Sequence, residues 1–252
     1  MTDEAVPTRS DRVAKERRGK TRRRRRSTKL FFRDLLVIVV VAVLVSFLVK
    51  TFVVRSFYIP SASMENTLQI NDRIIVNELE PGLVPISHGD VVVFRDPGGW
   101  LPPQPPTRQS PLAQAVDSAL TFVGLSASDS DDHLVKRVIG LPGDHVACCN
   151  ADGRITVNGT PIDEPYILLQ PGNVNAATLA FDVTVPKGEL WVMGDNRYNS
   201  QDSSRNQSLP GHGFVPIDHV VGRAFVISWP AGRWTWLDNY PDVFRGVEED
   251  KR

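Results

Sequence analysis

The longest apolar run in the chain extends from Leu35 to Val54, twenty residues interrupted only by Ser46, Lys50 and Thr51. An α-helix needs about 20 such residues to cross the hydrocarbon core of a bilayer, so a transmembrane helix is predicted over 35–54. Beyond it the pattern changes. Short runs rich in β-branched residues recur at 73–79, 90–94, 133–140, 144–149, 154–159, 180–186, 189–194 and 220–229, each bounded by Gly, Pro or Asp. Helical periodicity is scarce there, which predicts an all-β domain of antiparallel, barrel-like sheets over 55–238. Val157-Asn158-Gly159-Thr160 predicts a tight hairpin, because Asn-Gly suits the positive φ angles of such a turn. An insertion over 96–132 separates the second and third runs. It opens as a proline-rich loop, since proline cannot donate to a ladder. Its 111–125 segment places Leu112, Val116, Ala119, Leu120 and Val123 near one face of a possible amphipathic helix. Residues 239–252 read as a charged C-terminal tail.

Charge sharpens this picture. The chain has 252 residues and a formal net charge of +0, yet residues 1–34 hold 13 Lys/Arg against 5 Asp/Glu, including Arg22–Arg26. Such an arm fits a nucleic-acid tail, a targeting signal or the cytoplasmic flank of a membrane helix, and the apolar run behind it decides for the last. No role in binding nucleic acid is expected. The run is too long for the core of a cleaved signal peptide, and no small-x-small site follows at once. The positive-inside bias places 1–34 in the cytoplasm as a disordered arm, and the β domain on the outer side of the plasma membrane. The two cysteines are neighbours, Cys148 and Cys149. A vicinal disulfide, two free thiols and a crosslink between chains all remain open. No metal or other cofactor is expected.

The candidate chemistry lies just past the apolar run, in Ile59-Pro60-Ser61-Ala62-Ser63-Met64. A serine hydroxyl becomes a useful nucleophile only when a base takes its proton. The five histidines, 88, 133, 145, 212 and 219, stand in turn-like contexts, and no Gly-x-Ser-x-Gly elbow is present. Lysine is the other candidate base. Its pKa must fall from about 10.4 to about 7–8, and burial achieves this by stripping solvation from the ammonium. Lys136, within the β-type run 133–140, fits such burial, although on this feature alone a surface strand lysine is the stronger reading. Nine residues separate Val54 from Ser63, so the serine lies at most roughly 30 Å beyond the apolar run.

Four segments, in order, resemble the type I (leader) signal peptidases, bacterial membrane-anchored Ser/Lys endopeptidases. They are Phe57–Met64, Gly89–Phe94, Val135–Asp144 and Gly194–Ser203, and the similarity extends over about 31–236. One such box is moderately specific; four in order behind a positive-inside anchor are highly specific. The resemblance implies an extracytoplasmic all-β catalytic domain with one N-terminal transmembrane helix. It implies Ser63 as nucleophile and Lys136 as general base. The Ser61 hydroxyl and the Ser63 N–H would form the oxyanion hole, and Ser200 would orient the lysine amine. Asp195, Arg197 and Asp202 match loop-bracing positions, and Phe57, Ile59 and Val135 match positions lining shallow pockets for small side chains. The implied substrates are preproteins cut after small-x-small sites through an acyl-enzyme, with the lipid bilayer and the secretion translocon as neighbours. Two features depart from the family pattern. Asn66 stands where a proline is usual, and one extra residue precedes Arg205. They leave a second reading, a non-catalytic anchored binding or scaffold protein.

Overall fold

The computed structural model describes residues 31, 33–47, 53–102 and 132–249. The chain divides into two units, residues 1–49 and 50–252. The first holds a helix, α1, described over 33–47, whose apolar side chains are exposed on every side. Among the described residues no helix is long and apolar enough to cross a membrane. The predicted span 35–54 runs past α1 into residues outside the described set. Its last residue, Val54, belongs instead to a strand and pairs with Asn77. Hydropathy could not place that boundary, because Val serves a membrane helix and a strand equally well. Of the basic arm 1–34 only residues 31, 33 and 34 are described, all three helical rather than disordered, and the predicted helix at 111–125 lies outside the described residues.

The second unit is built from two antiparallel sheets. The larger has the order β1 (Val54–Tyr58), β2 (Arg73–Asn77), β11 (Val220–Trp229), β3 (Val91–Arg95), β4 (His133–Gly140), β9 (Glu189–Met193) and β10 (Val215–Pro216), with β12 (Thr235–Trp236) also on β11. Among the described residues β1 and β10 are its edges, so the sheet is open there and not closed into the barrel-like form expected. The smaller sheet has the order β7 (Thr160–Pro161), β6 (Ile155–Val157), β5 (His145–Cys148) and β8 (Phe181–Thr184). All eight β-type runs of the sequence became strands. Among the described residues the four strands not foreseen are β1, which shares only Val54 with the apolar run, and the two-residue β7, β10 and β12. The Asn158-Gly159 hairpin forms as expected, with both residues at positive φ, 54° and 83°.

β3 explains why 90–94 is apolar without alternation. Val91 and Val93 face one cluster with Phe57, Ile59, Met64, Leu68 and Ile74. Val92 and Phe94 face another with Trp100, Leu134, Val138 and Val192. A strand covered on both faces has no polar side to show. A third cluster joins the smaller sheet to Trp191, Met193 and the C-terminal helix α2 (Pro241–Glu249). The stretch after 239 is therefore not merely a charged tail: Phe244 and Val247, one helical turn apart, are fully buried. Cys148 and Cys149 are disulfide-bonded to each other.

Candidate active site

The loop carrying Ser63 is held from beneath and at both ends. Met64 and Leu68 are buried in the core, and such burial stabilises by about 1.5–3 kcal/mol per side chain. Thr67 N–H and Leu68 N–H both donate to the Met64 carbonyl, closing a tight turn. Asn71 N–H donates to the Ile59 carbonyl and Ile59 N–H to that of Asp72, which pins the ends of the loop together. Asp72, itself buried, accepts from Gln69 N–H and from the Arg233 guanidinium. Asn66, the departure from the family pattern, is exposed and donates to the Tyr166 carbonyl. The turn is closed by the Met64 carbonyl bonds with no proline present.

Lys136 reaches this loop from β4. Its Nζ donates to Ser63 Oγ at 2.8 Å and to the Val135 carbonyl at 2.9 Å. The side chain is only 3 % exposed. Burial pulls its pKa down from 10.5 to about 8, against the opposing charges of Asp202 and Asp195. With a pKa of about 8 roughly one amine in ten is neutral at pH 7, and that form can accept a proton from the hydroxyl it touches. Ser61 Oγ lies 3.3 Å from Ser63 Oγ, so two hydroxyls share one small space.

A second loop, 194–206, locks the arrangement from the far side. Asn196 N–H donates to the Ser63 carbonyl and its Nδ2 to the Ala62 carbonyl. Asp195 accepts both Nε and Nη2 of Arg137, at 2.9 and 2.8 Å, and also accepts from Thr67 Oγ1. Arg137 thus ties the residue beside Lys136 to the turn beside Ser63. It donates further to the carbonyls of Gly89 and Asp238 and lies over the Tyr166 ring at 4.1 Å. Arg197 is buried against Glu164 and donates to the carbonyls of Gly194 and Ala176. Asp202 accepts from Gly194 N–H and from the N–H and hydroxyl of Ser204. Arg205 donates to the Tyr198 carbonyl, not to Asp202.

Ser200 is the one expected contact that is not made. Its Oγ is buried with no hydrogen-bond partner, while the Lys136 amine is engaged by Ser63 and Val135. Yet the residue is close by. A Cβ added to Gly194 would stand 2.3 Å from Ser200 Oγ and 2.5 Å from the Ser63 carbonyl. Only glycine lets the two loops approach so closely.

Beside these groups runs a cleft of about 220 Å³. Phe57, Ile59 and Val135, expected as pocket residues, line it together with Ser61, Ser63 and Lys136. His133, Leu134 and Leu101 line it as well and were not foreseen. Their positions at the start of β4 and of the insertion carry no chemical signature. Arg137, Glu164 and Asn196 were also missed as site-building residues, since their partners lie far away in sequence. One rim of the cleft is the edge strand β1 and the residues after it. The other is the first half of β4, which pairs with β9 only from Arg137 onward.

A family model described as "Signal peptidase, peptidase S26" matches residues 32–229. The chain belongs to this family. Among its relatives, a signal peptidase I of Mycobacterium tuberculosis (strain CDC 1551 / Oshkosh) is 39% identical over 86% of this chain and 79% of its own. A probable signal peptidase I of Mycobacterium leprae is 38% identical over 79% and 76%. A probable signal peptidase I-2 of Synechocystis is 38% identical over 77% and 72%. The S26 match spans the Ser63 loop, β4 and the 194–206 loop, the three segments that converge on the dyad geometry. It leaves α2 outside.

Proposed function

We propose that this chain is a membrane-anchored serine endopeptidase that removes N-terminal signal peptides from secreted preproteins. The observation that carries this reading is the contact between a buried, easily deprotonated Lys136 amine and Ser63 Oγ. Lys136 takes the hydroxyl proton as Ser63 attacks the carbonyl carbon of the scissile peptide. The oxyanion that forms is stabilised by the Ser61 hydroxyl and the Ser63 N–H. The proton then passes from the ammonium to the departing amine, leaving an acyl-enzyme. A water molecule, activated by the neutral amine, hydrolyses it. Ser200, whose buried hydroxyl has no hydrogen-bond partner, orients the amine during turnover. Asp195, Arg197 and Asp202 hold the loops and take no part in bond making.

The substrate segment lies extended between β1 and the first half of β4, bound mainly through its backbone. Phe57, Ile59 and Val135 leave shallow hollows that accept small side chains and exclude bulk. No cofactor is required. Anchoring follows from the apolar run that begins at Leu35 and ends before β1. Leu36, Ile38 and Val43 on α1 are exposed by 63%, 65% and 63%, an arrangement that favours lipid over water. The basic arm keeps the N-terminus cytoplasmic, so that the β domain meets preproteins at the outer face of the plasma membrane, beside the translocon that delivers them. The scaffold reading has no specific observation in its favour, since Asn66 does not disturb the dyad.

The test is preprotein cleavage by the full chain in detergent micelles, comparing wild type with Ser63→Ala and Lys136→Ala. Each variant should lose roughly 10⁴-fold or more in kcat, as expected when one member of a catalytic unit is removed. Substantial activity in either would end the assignment. In wild type kcat/KM should rise with pH through an apparent pKa near 8, because the neutral amine is the working form. A limb governed by a group near 6.5 would point to histidine.

A further inference from the structure

Among the described residues of the insertion after β3, Leu101 lines the cleft, and a set of local contacts fixes its placement. Asp96 gathers three N–H groups of the following turn on one carboxylate: Gly98 and Trp100 donate to Oδ1, and Leu101 to Oδ2. Gly98 and Gly99 take positive φ values, 134° and 80°, which let the turn close. Trp100 is 5 % exposed and packs edge-on against Phe94, with ring centroids 5.8 Å apart. The turn is thereby nailed to β3. Leu101, half-buried, packs on the same cluster and lines the cleft.

The two faces of β4 differ in what they offer a bound strand. In the β3–β4 register Val135 lies opposite Val93, and Leu134 opposite Phe94. Val135 shares a cluster with Phe57, Ile59 and Met64, on the side proposed to receive small residues. Leu134 shares the other cluster with Phe94, Trp100 and Leu101. Side chains of an extended substrate alternate between faces in the same way. If the residue before the cut and the one two places earlier turn toward Val135, the residue between them turns toward Leu134 and Leu101.

Resting on the reading of this cleft as the peptidase's substrate channel, we propose that Leu101, with Leu134, forms an apolar wall that selects the middle residue of the small-x-small segment. The position is not silent in this enzyme. An aliphatic side chain there is covered by Leu101 and Leu134, whereas a carboxylate gives up water against two apolar side chains. Asp96 and Trp100 act only by holding Leu101 in place.

The experiment uses the full chain in detergent micelles and preproteins that differ only at the middle residue, Leu or Asp. Wild type should prefer Leu by about tenfold in kcat/KM, within the range that an apolar pocket delivers. Leu101→Ala should cut that ratio to about twofold, and Leu101→Met should restore most of it. The preference for Ala over Val just before the cut should stay unchanged in both. Because each ratio is taken within one preparation, partial misfolding lowers both rates and leaves the ratio readable. An unaltered Leu/Asp ratio in Leu101→Ala would overturn the proposal. So would a change confined to the residue three or four places before the cut. Loss of the signal peptidase reading itself looks different: Ser63→Ala would still cleave these substrates.

Discussion

Replacing Lys136 with Met tests the physical basis of the site through stability rather than turnover. Met has similar length and no charge, so it fills the same space. In wild type the ammonium is the disfavoured form when folded: its pKa falls from 10.5 to about 8 on burial. At about 1.4 kcal/mol per tenfold change, that displacement corresponds to about 3 kcal/mol. The sign follows from proton binding. Below pH 8 both folded and unfolded chains hold the proton, and the full cost is present. Between pH 8 and 10.5 the unfolded chain binds more protons than the folded one, so wild-type stability rises with pH. Above 10.5 the cost has gone. Relative to Lys136→Met, wild type should therefore gain about 2.5 kcal/mol between pH 7 and pH 10. The two hydrogen bonds that Met cannot make contribute a constant offset and do not disturb this difference. Urea unfolding of both full-length proteins in detergent, followed by tryptophan fluorescence at several pH values, measures it. A difference that stays flat from pH 7 to 10 would refute the argument, since the lysine would then hold its proton equally well folded and unfolded.

Three further outcomes are expected. Ser61→Ala should lower kcat about 100-fold with KM within about twofold, because the lost hydroxyl acts on the oxyanion and not on the bound substrate; steady-state cleavage of a preprotein separates the two. Glu164→Ala strands the buried Arg197 guanidinium without its counter-charge and should destabilise the fold by about 3–5 kcal/mol, read by denaturant unfolding. Ser200→Ala should leave Tm unchanged or slightly raised, because the deleted hydroxyl has no partner to lose. A fall in kcat at constant Tm would then assign Ser200 to orienting the amine during turnover.

Much of the site was legible because its chemistry is local. Pro60-Ser61-Ala62-Ser63 presents the two hydroxyls on one short loop, whereas Lys136 on its own reads as a surface strand lysine and was singled out by the family resemblance. The strand inventory was equally legible wherever β-branched runs ended at Gly, Pro or Asp. β1 was not, because Val54 continues an apolar run whose hydropathy does not change at the boundary. Helix α2 was hidden because two apolar residues among charges, Phe244 and Val247, do not announce a packed face.

What the residues determined alone was the menu of elements and of reactive groups, since strand propensity, turn chemistry and nucleophile type are properties of neighbours in the chain. What only the tertiary structure decided was distance and solvation. Ser63 and Lys136 are 73 residues apart, and they meet because Arg137, Asp195, Thr67 and Asn196 knit β4 to two loops through contacts between residues distant in sequence. The basicity of the lysine was settled at the same level. It depends on how completely water is excluded around one nitrogen, and that exclusion is made by segments that are far apart in the chain.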